Sequence, residues 1–162
     1  MASADTAWKD AQNACFEYLV GATESEVAVK AWQGDRLTNT KLNVWCFIIS
    51  GGPVQDQNFQ CKRPGYVYYT NGILRAQYKN MFEAMDLAGQ IMNSFPVYYD
   101  TENIEGMVEN GRGRGLPPNV EAFEMTNFPD LFSDIIKDES GEDVQVWILI
   151  VNFRVVFNCG KE

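Results

Sequence analysis

Histidine is absent from the 162 residues. Its absence removes the commonest general base, the usual metal ligand and every Ser-His or Cys-His nucleophile pair. Basic residues are scarce as well. Thirteen Lys and Arg stand against 22 Asp and Glu, giving a formal charge of -9 and a pI near 4.5. Nucleic-acid binding depends on neutralising phosphates with Lys and Arg, so the chain as a whole repels DNA. Such acidity serves solubility, or a surface past which DNA moves without sticking. Long apolar runs are missing too: none is longer than Val146 to Val151, which is strand-sized and far below the roughly 18 residues of a membrane helix. Residues Met1 to Asp10 lack a basic start followed by an apolar stretch, so no secretory signal is expected and a reducing cytoplasm is the expected site of synthesis. No pair among Cys15, Cys46, Cys61 and Cys159 has Cys-x-x-Cys spacing. Buried apolar packing is therefore expected for them, a spatial gathering of thiols being the alternative.

What is present is an ordinary globular composition. Hydrophobic residues at 46% and charged residues at 22% exclude disorder of the whole chain. The length suits a single domain, residues 1–162, whose core needs no covalent staples.

Periodicity outlines the elements. Trp8, Ala11, Cys15, Tyr18 and Leu19 form one helical stripe between Thr6 and Val20, with Gly21 as a stop. Glu26 to Trp32 suits a short first strand. From Leu37 to Ser50 the period becomes two: Thr38, Thr40, Leu42, Val44, Cys46 and Ile48 alternate with Asn43, Trp45, Phe47 and Ile49. The later half is apolar on both sides and calls for cover on both. Gly51-Gly52-Pro53 is expected to end this strand, and Val54 to Lys62 to form an extended loop. Residues 66–78 read either as a hairpin turning at Asn71-Gly72 or as one strand with a bulge at Gly72.

Asn80 followed by Glu83 has the form of a capping box, and Met81, Phe82, Met85, Ala88, Ile91, Met92 and Phe95 form an apolar face ended by Pro96. That methionine-rich stripe is expected to be deformable core, a groove for a partner being the alternative. Thr101 to Asn119, with Gly111-Arg-Gly-Arg-Gly115, holds no regular pattern and is expected to be a mobile loop. A strand follows from Val120 to Thr126, with Val120, Ala122 and Glu124 on one side and Glu121, Phe123 and Met125 on the other. Phe128 to Ile136 suits a short helical turn or an irregular crossing. After an acidic turn, a long last strand runs from Val144 to Asn158. The order implies an α+β fold, a mostly antiparallel sheet with two main helices packed against it.

The chemistry is thin. Asp134, Asp138, Glu139, Glu142 and Asp143 lack the Asp-x-Asp-x-Asp-Gly spacing of a calcium loop, and a solvated turn is expected. The glycines at 111, 113 and 115 are followed by Pro117 and Pro118, not by Gly-Lys-Ser/Thr, so they make no phosphate loop. No catalytic residue, metal site or cofactor site is assigned. Arg112 and Arg114 are candidates to dock on an acidic neighbour or on phosphate. Tyr66, Tyr68 and Tyr69, with Trp32 and Trp45, are candidates for a stacking surface.

Three stretches carry a resemblance: the first helix leading to Leu42-Asn-Val-Trp-Cys-Phe-Ile-Ile49; the strand entering Met81-Phe-Glu-Ala-Met-Asp-Leu-Ala-Gly-Gln-Ile-Met92; and Val120-Glu-Ala-Phe-Glu-Met125, an acidic turn and Val144 to Phe157. In this order they resemble the tail terminator proteins of long-tailed phages, the lambda-like minor tail protein family. Gly51 to Arg63 and Thr101 to Asn119 are longer than a compact member needs. The resemblance implies a virion structural protein at the neck of the tail and not an enzyme. Such a protein forms a ring, a homohexamer in this family, that caps the tail tube and ends its polymerisation. Its implied partners are its own copies, the tail tube protein and the head-tail connector protein, with DNA passing through the lumen unbound and no membrane. Two other readings remain: a small ligand-binding module using the aromatic surface, and an acidic adaptor acting on a host protein.

Overall fold

The computed structural model describes residues 4–23, 28–30, 42–56, 65–95 and 120–160. Two helices, α1 (Ala4–Thr23) and α2 (Met81–Asn93), accompany six strands: β1 (Ala28–Lys30), β2 (Val44–Asp56), β3 (Gly65–Tyr78), β4 (Val120–Met125), β5 (Asp130–Lys137) and β6 (Asp143–Gly160). The strands form one sheet in the order β1-β2-β3-β6-β4, with β5 paired to β6 beside β4. All pairings are antiparallel except that of β1 with β2. The expected α+β architecture, helices on a mostly antiparallel sheet, is the one observed.

β6 is the spine. One edge, from Trp147 to Gly160, pairs with the whole of β3, from Gly65↔Gly160 to Tyr78↔Trp147. The other edge is divided: β4 takes Phe153 to Phe157, and β5 takes Asp143 to Ile150. The long apolar run of β6 follows from this position, since a strand flanked on both edges and buried on both faces cannot alternate apolar with polar. Leu149, Val151, Phe153, Val155 and Phe157 enter the main core; Val146, Ile148 and Val156 are buried as well.

The main core lies between sheet and helices. Ala7, Ala11, Cys15, Phe16, Tyr18 and Leu19 of α1 meet Trp45, Phe47 and Ile49 of β2 and Ala84, Leu87, Ala88 and Ile91 of α2. Phe47, Phe95, Phe123 and Phe153 form an aromatic cluster with ring centroids 5.1–6.0 Å apart, distances at which tilted and edge-on rings attract. The Tyr18 hydroxyl ties the helices together, donating to the Ser94 carbonyl at 2.7 Å. Cys15 and Cys46 are buried and free of disulfides, as expected, and burial pushes the Cys15 thiol up. Cys61 lies outside the described residues.

Several expectations are corrected. α1 passes through Gly21 to Thr23, whose hydroxyl donates to the Leu19 carbonyl. Trp8 is 38% exposed at the rim, and Ala7 takes the inward position. Gly51-Gly52-Pro53 does not end β2. The strand absorbs these residues as an irregularity between Ser50 and Val54 and continues to Asp56.

Residues 66–78 are neither a hairpin nor bulged at Gly72: β3 pairs with β6 in unbroken register, and the irregularity lies on β2 instead. Gly72 has a packing reason. A Cβ there would sit 2.8 Å from Phe47 Cε2, so the missing side chain leaves room for the Phe47 ring. A register shift between Val120 and Ala122 turns Val120 to the core with Phe123, separating it from Ala122. Phe128 to Ile136 contains no helical turn; its larger part is strand β5, a hairpin partner of β6. The loop expected at 101–119 lies outside the described residues.

Candidate interaction surfaces

Among the described residues no group of three or more His, Cys, Asp or Glu side chains is placed to hold a metal ion. The candidate sites are surfaces, and three are built from side chains on regular elements.

The first is the β5–β6 hairpin. Asp130 and Lys137 bound a strand that pairs only with β6 among the described residues. Leu131 packs against the core, whereas Phe132 is 38%, Ile135 66% and nearby Phe128 81% exposed. The Ile135 N–H donates to Asp134 Oδ1 at 2.7 Å, so one exposed backbone donor is already occupied. Side-chain occupancy of this kind limits indiscriminate strand addition at an edge. The hairpin turn is ordered by Asp138, whose Oδ1 accepts from the Ser140 N–H and hydroxyl and the Glu142 N–H. Gly141 supplies the positive φ of 80° that a side chain would oppose. The hydrogen bond from the Ser140 side chain leads in holding the Asp138 carboxyl below its usual range, followed by that from the Glu142 backbone. Lys137 and Asp143 close the hairpin base at 3.0 Å.

The second surface is the outward side of α2. Asn80 caps the helix, its Oδ1 accepting from the Phe82 N–H at 2.8 Å. The buried face is Ala84, Leu87, Ala88 and Ile91; of the expected stripe, Ala88 and Ile91 are core and Phe95 packs against it, whereas Phe82 and Met85 turn outward. Phe82 is 68% and Met85 46% exposed. Large side chains mark the stripe in the sequence, but small ones at the contact let a helix lie closer to its support. Beside that stripe a cleft of about 320 Å³ is lined by Asn43, Tyr78, Glu83, Asp86 and Gln90, with Thr23 and Leu87. Burial, and secondarily the Glu83 carboxylate, push the Tyr78 phenol up to about 12. Asn43 closes the cleft in a left-handed conformation, φ 59°, which asparagine tolerates better than most residues. Its N–H donates to the Gln77 carbonyl, and its side-chain oxygen accepts from the Lys79 N–H.

The third is a row across the opposite side of the sheet. The Arg154 guanidinium lies 4.8 Å from the Tyr69 ring centroid and 3.6 Å from a Glu124 oxygen. Both charged side chains are more than a third exposed, so the ion pair contributes about 1 kcal/mol at most.

The residues singled out from the sequence do not gather. Arg112, Arg114 and Trp32 lie outside the described residues, as does the side chain of Tyr66, a β3 residue opposite Cys159. Tyr68 stacks on Phe157, centroids 5.6 Å apart, and packs against the main core. Tyr69 packs on the other side with Ala122 and Val156. Trp45 is fully buried. The stacking surface is therefore corrected: Trp45 is core, and adjacent strand residues such as Tyr68 and Tyr69 point to opposite sides. The exposed residues of β5 were missed, and Phe82 and Met85 of α2 were placed in the core. Asp130 to Lys137 reads polar-apolar-apolar-polar-polar-apolar-apolar-polar, so no period of two marked β5 in the sequence. For α2 the second arc, Ala84-Leu87-Ala88-Ile91, was equally periodic.

Among the described residues no helix is long and apolar enough to cross a membrane. Compared with protein-family models and with curated proteins, the chain matches none.

Proposed function

We propose that the chain is a virion structural protein of the tail-terminator kind, a non-catalytic ring subunit that caps a phage tail tube at the neck and joins it to the head connector. The observation that carries this reading is the β5 edge. It is open among the described residues and bears exposed Phe128, Phe132 and Ile135 on a hairpin braced by the spine of the sheet. Apolar side chains exposed on both faces of an open edge strand, Phe132 on one and Ile135 on the other, and at Phe128 just before it favour burial against another subunit. A closed ring requires one surface of each subunit to meet a different surface of the next. The charge of -9 per subunit supports the same reading, because an acidic lumen lets DNA slide without binding.

The test is mass in solution by light scattering, alone and with tail-tube protein added, with negative-stain images of any large species. The expected result is a ring of about six subunits with a central hole. Ile135→Lys with Phe128→Ser is expected to return it to an 18.3 kDa monomer. Arg112→Glu with Arg114→Glu is expected to impair assembly, and normal assembly of that variant removes the two arginines from the contact. A wild-type chain that stays monomeric under both conditions overturns the reading.

A further inference from the structure

We propose that the outward side of α2 is a docking surface for a basic amphipathic segment of another protein. This surface stands on α2 and its cleft alone, independent of any ring. At 100° per residue, α2 presents two flanks side by side. One carries Phe82, Met85 and Met92, with Phe82 largely and Met85 nearly half exposed. Between the two methionines sits Gly89, where an added Cβ would meet nothing within 4 Å. That gap leaves the helix backbone open to an inserted apolar side chain, and unbranched methionines adapt their shape around one.

The other flank carries Glu83, Asp86 and Gln90 along the cleft of about 320 Å³. Its two carboxylates suit a Lys or Arg side chain, and the neutral phenol of Tyr78 adds a hydrogen-bonding group without adding positive charge. α2 contains no Lys or Arg of its own to fill this role.

Charge chooses the occupant. A second copy docked on the same face would bring together two acidic helices, neither with a Lys or Arg, in a chain already at -9. An anionic lipid surface is repelled for the same reason. A helix with apolar residues on one side and Lys or Arg on the other satisfies both flanks at once, as in helix-in-groove recognition.

The probe is a synthetic amphipathic Leu/Lys helix, fluorescently labelled and titrated with the full chain. The controls are the same helix with Glu for Lys and a scrambled Leu/Lys sequence. Binding of the Leu/Lys helix alone is expected. Phe82→Ser with Met85→Ser, and separately Glu83→Gln with Asp86→Asn, are each expected to weaken it about tenfold or more. Glu139→Gln with Glu142→Gln removes the same charge from the exposed hairpin turn and is expected to change affinity less than about twofold. Gly89→Lys provides a variant that does not sacrifice the fold, because it replaces a helix-interior glycine in open space. It is expected to weaken binding about tenfold by placing a cation on the face.

Four results would each overturn the proposal. These are no binding of the Leu/Lys helix, equal binding of the scrambled sequence, equal weakening by the two charge-removing pairs, or unchanged binding by Gly89→Lys. Concentration-dependent self-association abolished by Phe82→Ser with Met85→Ser would assign the surface to a second copy instead.

Discussion

Gln12 joins α1 to the sheet through a single side-chain amide. Its Nε2 donates to the Phe47 carbonyl at 3.0 Å, and its Oε1 accepts from the Ile49 N–H at 2.6 Å. β1 ends at Lys30, opposite Phe47. The amide thus occupies backbone groups of β2 at and just past the last described pairing with β1. Gln12→Leu is expected to destabilise the fold by about 1–3 kcal/mol, because it leaves a partly buried donor and acceptor unpaired; the midpoint of urea unfolding reads this directly. Gly72 tests close packing at the same scale. Gly72→Ala would press a methyl group onto the Phe47 ring, itself fully buried in the aromatic cluster. The expected cost is about 1–3 kcal/mol. Phe47→Leu in the same background should restore part of it, and a double-mutant cycle on urea midpoints shows whether the two positions couple.

At the scale of elements, the β5–β6 hairpin depends on its turn. Asp138 accepts three hydrogen bonds there, and its carboxyl is held below the usual range chiefly by the Ser140 side chain. A carboxylate whose folded pKa is depressed contributes stability above its unfolded pKa and loses it as pH falls through the folded value. Turn order is therefore expected to be intact at neutral pH and to loosen only below the ordinary aspartate range. Asp138→Ala should loosen it at every pH. Amide exchange of Ser140 and Glu142 against pH measures both, and an Asp138→Ala turn as protected as the wild type would show that the carboxylate is not what orders it. The same hairpin carries Phe132 and Ile135, so turn order and the geometry of that edge are linked.

For the whole molecule, the arrangement around β6 matters most. β4 and β5 share one edge of a single long strand, and β3 takes the other from Trp147 to Gly160. The helices bury one side of the sheet in a core rich in phenylalanine, and the outer hairpin remains open among the described residues. The ring reading predicts that assembly and stability separate in this frame. Ile135→Lys with Phe128→Ser should lower the mass in solution while leaving the unfolding midpoint of the isolated subunit nearly unchanged, since surface substitutions away from packed features rarely cost much. Loss of both together would mean that these residues support the subunit fold rather than its assembly.

Periodicity and local chemistry alone determined the two helices, the Asn80 cap, the alternating core of Val44 to Ile49 and the α+β class. These are written in consecutive residues and rest on short-range geometry. Composition likewise determined the acidity and the absence of any histidine chemistry. Only the tertiary structure decided which of two periodic arcs of α2 is buried, because that depends on how closely the helix approaches its support. It also decided that Gly51-Gly52-Pro53 is absorbed within β2, and that Gly72 makes space for Phe47 without turning the chain. Asp130 to Lys137 became a strand because β6 offers a free edge beyond β4. Strand pairing and helix docking join residues far apart in the chain, and a sequence read locally does not contain the partner.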